Sequence, residues 1–208
     1  IELGIKDILI ICLPEDQNIF KKLILPLKLK SVKISFEVQV KPNGLPEAFK
    51  IGKKFIGNSP VTLILGDNIF YIKNLKKIIR KYFNDHINAS IFVKKVKNPN
   101  DFGIIYKDKN ITKIIEKPKN PKSDKAITGL YFFPNNVCKK VLELKPSKRG
   151  ETEITDLINK YLYSNNLNIV VLKNTMWLET GTAERLLTAS NKVRSLQKDK
   201  GIYIGKLT

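Results

Sequence analysis

The chain has 208 residues, 42% of them hydrophobic, which is enough apolar mass for one packed domain and too much for a disordered chain. Its formal net charge of +19 comes from 34 Lys and only 4 Arg, scattered from Lys6 to Lys206. That balance argues against nucleic-acid readout, where Arg dominates, and leaves a surface that attracts small anions.

The predicted elements alternate. "DILIIC" (7–12) is a continuous apolar run and reads as a buried strand. "EDQNIFKKLILPL" has helical spacing and stops near Pro26. "VKISFEV" (32–38) alternates with period two, as a strand does. "GLPEAFKIGKKFI" (44–56) predicts a helix, with Asn43 as cap and Pro46 in its first turn. "VTLIL" (61–65) is a second buried strand and 74–83 an amphipathic helix. Strands follow at 89–96, 103–106, 111–117 and 127–133, with "KDKN" predicting a hairpin between the second and third. Helices are expected at 135–144 and 154–163, a strand at 167–172 and a long helix at 182–197. Early β/α alternation implies right-handed crossovers. The expected fold is a mixed α/β sandwich over residues 1–208, with a mostly parallel sheet, flanking helices and antiparallel additions at 89–133.

No apolar run is long enough for a bilayer, and no signal-peptide pattern is present, so no membrane partner and a cytoplasmic location are expected. Cys12 and Cys138 sit among apolar neighbours and read as core fillers, while the lone His86 lies in a polar stretch. Too few Cys and His exist for a zinc site or a nucleophile–His pair, and no Walker-type loop is present.

Five stretches can carry chemistry, each with an ordinary structural alternative. In "LILGDNIFY", Asp67 follows a buried strand; it reads either as part of a turn or as a magnesium ligand at a strand end. In "VQVKPNGLPEAF", the Gln39 amide can read a base edge and Gly44 can admit a close ligand, or the segment is simply a turn and a cap. In "IIEKPKNP", Glu116 can accept from sugar hydroxyls and Lys117 can meet a phosphate, or the two form a surface ion pair. In "RGETEITD", the acids suit a helix start, though Glu153 can also face a pocket. In "MWLETGTAERL", Glu179 after the only Trp, Trp177, fits a second metal ligand beside a stacking surface, or a capped helix entry.

Taken in order, "KPNGLPEAF", "LILGDNIFY", "IIEKPKNPKSDKAITGLYFF", "RGETEITDLINKYL" and "WLETGTAERLLTAS" resemble the sugar-phosphate nucleotidylyltransferases, from Ile1 to Thr208. The resemblance implies a Rossmann-like α/β fold and in-line attack of glucose 1-phosphate on the α-phosphorus of dTTP (or UTP). Pyrophosphate leaves and dTDP-glucose forms with Mg2+ as cofactor, the step that opens a dTDP-rhamnose route to cell-surface polysaccharide. By matching position, Asp67 and Glu179 would hold the metal, and Gln39, Gly44 and Leu45 would meet the nucleotide. Gly103, Glu116, Ile127, Glu153 and Trp177 would line the sugar site, with Lys117 on the sugar phosphate. Relatives commonly form tetramers, so a longer parent protein is expected to be a homo-oligomer.

The sequence departs from that pattern in several places. Glu179 stands where the family has Asp, Phe102 where it has Tyr, Val40 where it has Pro and Ile72 where it has Gly. The family's "GGxGTRLxPxT…K" phosphate loop and its strand are not in these 208 residues, and both ends read as cut. The expectation is therefore a truncated domain with unpaired strand edges, inactive by itself. The alternative function is a homologue that retains only sugar-phosphate binding.

Overall fold

The computed structural model describes residues 4–27, 29, 31–72, 75–83 and 85–204. Strand β1 (Asp7–Cys12) leads to helix α1 (Gln17–Ile24), which tightens into a 3-10 turn at Leu25–Leu27 beside Pro26. Next come β2 (Lys33–Val38), α2 (Glu47–Ile51), α3 (Lys53–Ile56), β3 (Val61–Ile64), β4 (Asn68–Tyr71) and α4 (Leu75–Phe83). The second half runs β5 (Ala89–Lys95), β6 (Ile104–Asp108), β7 (Ile111–Ile115), β8 (Lys125–Phe133), α5 (Val137–Leu142), α6 (Ile154–Tyr163), β9 (Leu167–Val171), β10 (Met176–Glu179) and α7 (Ala183–Lys200).

β8 organises the molecule. One of its edges carries β5 along most of its length, and β9 extends that side in parallel with β5. Its other edge is shared: β3 pairs with Leu130–Phe133, and β6 joins only at Ala126. The two strands part at residues 127–129, where Gly103 and Leu65 still reach β8 through single backbone bonds (Ile127 N–H to Gly103 O, Leu65 N–H to Gly129 O). The cavity described below opens at that fork. β7 closes the far end as a hairpin with β6, turning on Lys109 (φ 45°) and Asn110 (φ 67°). Two consecutive left-handed residues are what a two-residue hairpin needs to match strand twist, so "KDKN" behaves as predicted.

β5 and β8 are apolar on both faces because both faces are covered. Ile91, Val93, Ile127, Tyr131 and Phe133 point to one core with Phe49, Val137, Val141, Leu157 and Tyr161 of the helices. Phe92, Leu130 and Phe132 point to the other, with Ile72 and Leu172. Ile72 is 6% exposed and packs there as an ordinary core residue.

The mixed α/β architecture with flanking helices is as the alternation predicts, but parallel pairing is scarcer. Only β1–β2 and β5–β9 are parallel, and the five other pairings described are antiparallel. The predicted 44–56 helix is two short ones that meet at Gly52, with Pro46 rather than Asn43 at the N-cap. Among the described residues, the outer edges of β1 and β3 find no strand partner. A groove of about 840 Å3 runs between them, lined by Ile8, Ile11, Phe49 and Leu63.

Candidate active site

Two short strands absent from the sequence prediction build the site. β4 and β10 pair antiparallel, with Asn68 opposite Glu179 and Phe70 opposite Trp177. Each has only four residues, too few to show a period. Their pairing brings together the two carboxylates that lie 112 positions apart in sequence (179 minus 67). The chain after β10 is then tied back to the chain before β4. Thr180 donates both its N–H (2.7 Å) and its hydroxyl (2.9 Å) to the Asp67 carbonyl.

A cavity of about 500 Å3 opens at the fork in the sheet. Asp67, Leu45, Gly103, Glu116, Lys117, Ile127, Trp177 and Glu179 all line it, so eight predicted residues meet in one place. Gly103 is there because nothing larger fits. A Cβ would lie 2.8 Å from the Thr155 methyl and 3.4 Å from Glu116 Oε2.

Glu116 Oε2 is buried and has no hydrogen-bond partner among the described residues. Such an acceptor costs about 1–3 kcal/mol until something donates to it. Burial pushes the Glu116 carboxyl pKa up, and nearby Glu153 adds to this; the adjacent Thr155 hydroxyl and the Lys117 and Arg149 charges oppose it. The neighbouring Lys117 is exposed, with its backbone in the left-handed region (φ 37°) and its N–H on the Phe102 carbonyl (3.1 Å). That conformation is unfavourable for a lysine and commonly accompanies functional sites.

Trp177 forms the opposite wall. Its indole N–H donates to Asn68 Oδ1 at 2.5 Å, and its ring meets Phe102 edge-on at 5.3 Å. Phe102 thus contributes aromatic contact where the family has a tyrosine. Asn68 is a hub that the sequence reading missed. Its Oδ1 also accepts from Gly129 N–H (3.2 Å), and its Nδ2 donates to Asp67 Oδ1 (2.6 Å). Gly129 sits in mid-strand because a Cβ there would press on the Asn68 carboxamide at 2.7 Å. The visible signal was a glycine in the middle of a largely apolar strand, which marks a close approach.

At the mouth, Asp67 and Glu179 converge on Gly181. A Cβ on Gly181 would collide with Glu179 Oε1 and lie 3.0 Å from Asp67 Oδ2. The glycine leaves open a cradle flanked by two hard oxygen donors, which suits magnesium. Among the described residues no group of three or more Asp, Glu, His or Cys is placed to hold a metal ion. A metal held here would take its remaining ligands from water or phosphate, as magnesium commonly does. Asp101 and Arg185, also absent from the sequence prediction, line this end of the cavity. Arg185 donates to Glu179 Oε2 at 2.6 Å and to the Asp101 carboxylate, and these two partners hold its pKa up.

Three predicted residues lie outside the cavity lining. Gln39 donates weakly to the Gly44 carbonyl (3.4 Å), so the two share one loop beside Leu45. Gly44 (φ 101°) is required by an unforeseen neighbour, because a Cβ would run into the Thr152 carbonyl. The same loop accepts Thr152 N–H and hydroxyl on the Asn43 carbonyl, at 2.9 and 2.8 Å. Glu153 is buried at the start of α6 and turned to Ser147 (2.8 Å) and Arg149 (3.7 Å), while Ile154 and Thr155 face the cavity.

The chain belongs to the nucleotidyl transferase family, whose model matches residues 1–195. Among curated relatives, glucose-1-phosphate thymidylyltransferase of Neisseria meningitidis is 42% identical over 98% of this chain and 72% of its own length. The enzyme of the same name from Mycolicibacterium smegmatis is 41% identical over 97% and 71%. Among solved structures, a Bacillus anthracis protein described as a glucose-1-phosphate thymidylyltransferase, in complex with a sucrose, superposes with a TM-score of 0.85. It is 32% identical and matches over 99% of this chain and 80% of its own. A UDP-glucose pyrophosphorylase complexed with UDP-glucose shares the fold, with a TM-score of 0.76 at 21% identity over 93% and 83%.

Proposed function

We propose that this chain carries the sugar-phosphate half of a nucleotidyl-transfer site. The reaction takes glucose 1-phosphate and dTTP, or UTP, to the nucleoside diphosphoglucose and pyrophosphate. The observation that carries this reading is one cavity with a partnerless buried acceptor, Glu116 Oε2, on its inner wall and two converging carboxylates at its mouth. A hexose fits such a wall. Its apolar face can lie on Trp177 and Ile127, and a hydroxyl can satisfy Glu116.

The roles follow from placement. Glu116 orients the sugar, and the exposed amine of Lys117 meets its phosphate as a point charge. The sugar phosphate oxygen attacks the α-phosphorus of the nucleotide in line, and the bond to pyrophosphate breaks. Both reactants are anionic, so positioning and charge neutralisation supply most of the rate. Asp67 and Glu179 would hold the magnesium ion, which supplies Lewis-acid shielding of the phosphate oxygens. The loop of Gln39, Gly44 and Leu45 would meet the nucleoside. In a cell the product would feed dTDP-rhamnose formation.

The test is pyrophosphate release from dTTP and glucose 1-phosphate by the 208-residue chain and by one extended with the family's phosphate loop, with Asp67→Asn made in whichever of them turns over. At saturating magnesium the variant should be at least ~100-fold slower, the scale of losing one electrostatic anchor of a transition state. Equal rates would remove Asp67 from the site. A second reading, binding without turnover, is favoured by one observation: both Glu179 oxygens are already engaged, by Gly181 N–H (2.5 Å) and by Arg185. Glucose 1-phosphate binding by calorimetry with no pyrophosphate released would select it.

A further inference from the structure

Arg185 stands in the first turn of α7, where Thr182 caps its backbone N–H at 3.3 Å. A cation is unfavourable at that end of a helix dipole, so the helix itself gives no reason for it. Its side-chain contacts do. One arm of the guanidinium lies on Glu179 Oε2 (2.6 Å), the other on the Asp101 carboxylate, and the fork sits 5.6 Å above the Phe102 ring. Glu179 is the more enclosed partner, its side chain 15% exposed against 51% for Asp101. A positive charge therefore already occupies one of the two carboxylates that flank the Gly181 cradle. It is tethered to a second, more exposed carboxylate outside that pair.

We propose that Arg185 is a resident counter-cation of the metal cradle. It holds Glu179 in place while no divalent ion is bound, and shifts its weight onto Asp101 when one arrives. The inference rests on the metal reading of Asp67 and Glu179 given above. Arg185 is a positioning residue acting through Glu179. The longer Glu at 179 suits this arrangement, since Oε1 keeps Gly181 N–H while Oε2 reaches the guanidinium. The consequence is a site tuned to weak binding of free divalent ions. A divalent ion that arrives with phosphate brings negative charge of its own, which offsets the guanidinium.

The experiment is Mn2+ binding to the 208-residue chain, read from the electron paramagnetic resonance signal of free Mn2+, with Asp67→Asn defining the component that belongs to this site. Arg185→Ser should tighten that component about tenfold, the scale of one neighbouring charge. Arg185→Lys keeps the charge and should stay within about threefold of the parent. Asp101→Asn removes the alternative partner, concentrates the guanidinium on Glu179, and should weaken binding about threefold or more. Opposite signs for Arg185→Ser and Asp101→Asn are the signature; loss of packing alone would weaken both. Unchanged or weaker binding in Arg185→Ser, or unchanged or tighter binding in Asp101→Asn, overturns the inference while leaving the metal site standing. Absence of any Asp67-dependent Mn2+ binding in the parent overturns the metal site and this inference with it.

Discussion

The inner wall and the mouth of the cavity follow different rules. On the two inner walls, Gly103, Glu116, Ile127 and Trp177 are fixed by strands β6, β7, β8 and β10, and one buried acceptor has no partner. At the mouth, Asp67, Glu179, Asp101 and Arg185 are bonded to one another or to adjacent groups, and three of the four charges are well exposed or bridged by the fourth. The wall is preorganised and waits for a donor, while the mouth is satisfied without a ligand and must exchange partners to take one. Preorganisation lowers the cost of binding; partner exchange makes binding conditional. Affinity for a sugar phosphate should therefore come from the wall, and dependence on metal and nucleotide from the mouth.

Asn68 is where wall and mouth join, so its loss disturbs both at once. Asn68→Ala leaves the Trp177 indole and Gly129 N–H groups without their acceptor and frees Asp67 from its orienting donor. In the form that turns over, pyrophosphate release should fall by at least ~100-fold, and stability should fall by about 1–3 kcal/mol for the unpaired groups. Trp177 is the only Trp, so its fluorescence reports on the wall alone. A red-shifted emission together with weakened Mn2+ binding is expected. A shift in one without the other would show that the halves are independent. Gly129→Ala tests the same joint more gently, since the new Cβ presses on the carboxamide without removing it. A cost of about 1–3 kcal/mol in thermal or urea unfolding is expected, with the same red shift at smaller amplitude.

What the sequence revealed divides along the same line. The wall was legible in two ways: Glu116 shows as a carboxylate at a strand end and Trp177 as the only Trp, while Gly103 and Ile127 came from matching position with the family alone. The mouth was half legible. Asp67 and Glu179 stand out as acids beside apolar runs, but their meeting depends on β4 and β10, whose four-residue length carries no period. Asp101 and Arg185 were invisible because an exposed Asp in "NPNDF" and an Arg at a helix start look like ordinary surface residues. Helix continuity through Gly52 was overestimated because apolar spacing persists on both sides of a residue that the chain uses as a break. The excess of antiparallel pairing comes from the single long strand β8, which runs against β3, β5 and β6 at once. No local pattern encodes that direction.

Glu116→Gln sharpens the contrast, because it alters only the wall. Glucose 1-phosphate affinity should drop about tenfold, the value of one charge-assisted hydrogen bond. Asp67-dependent Mn2+ binding should not move. The same substitution has a signed effect on stability. Burial, with Glu153 nearby, raises the folded-state pKa of Glu116 above its ordinary 4.5, so the folded chain holds this proton more tightly than the unfolded chain does. The group therefore favours folding at low pH and costs stability as pH rises from that ordinary value through the folded one. The glutamine variant should melt higher than the parent at pH 7 to 8 and lose that advantage toward pH 4. An equal advantage at both ends would mean that the charge of Glu116 is not what the wall pays for.

The smallest effect expected serves as the control, because it lies in neither half. Asp85 caps the turn before β5. It accepts from Ile87 N–H (3.1 Å), Asn88 N–H (2.8 Å), the Asn88 amide (2.9 Å) and the Asn168 amide of β9 (2.9 Å). Burial works against its ionisation, but these donors outweigh it and pull its pKa down to about 2 from 3.8. A depressed carboxyl pKa contributes stability that is fully present above the unfolded value and fades as pH falls through the folded one. The Tm gap between the parent and Asp85→Asn should thus be largest above pH 4 and close toward pH 2, with Mn2+ binding and Trp177 emission unchanged at neutral pH. A gap that persists at pH 2 would assign the effect to lost packing rather than to the ionised carboxylate. Any change in emission would mean that the β5–β9 edge of the sheet holds the wall in place, so that preorganisation of the cavity extends through β8 to the far side of the molecule.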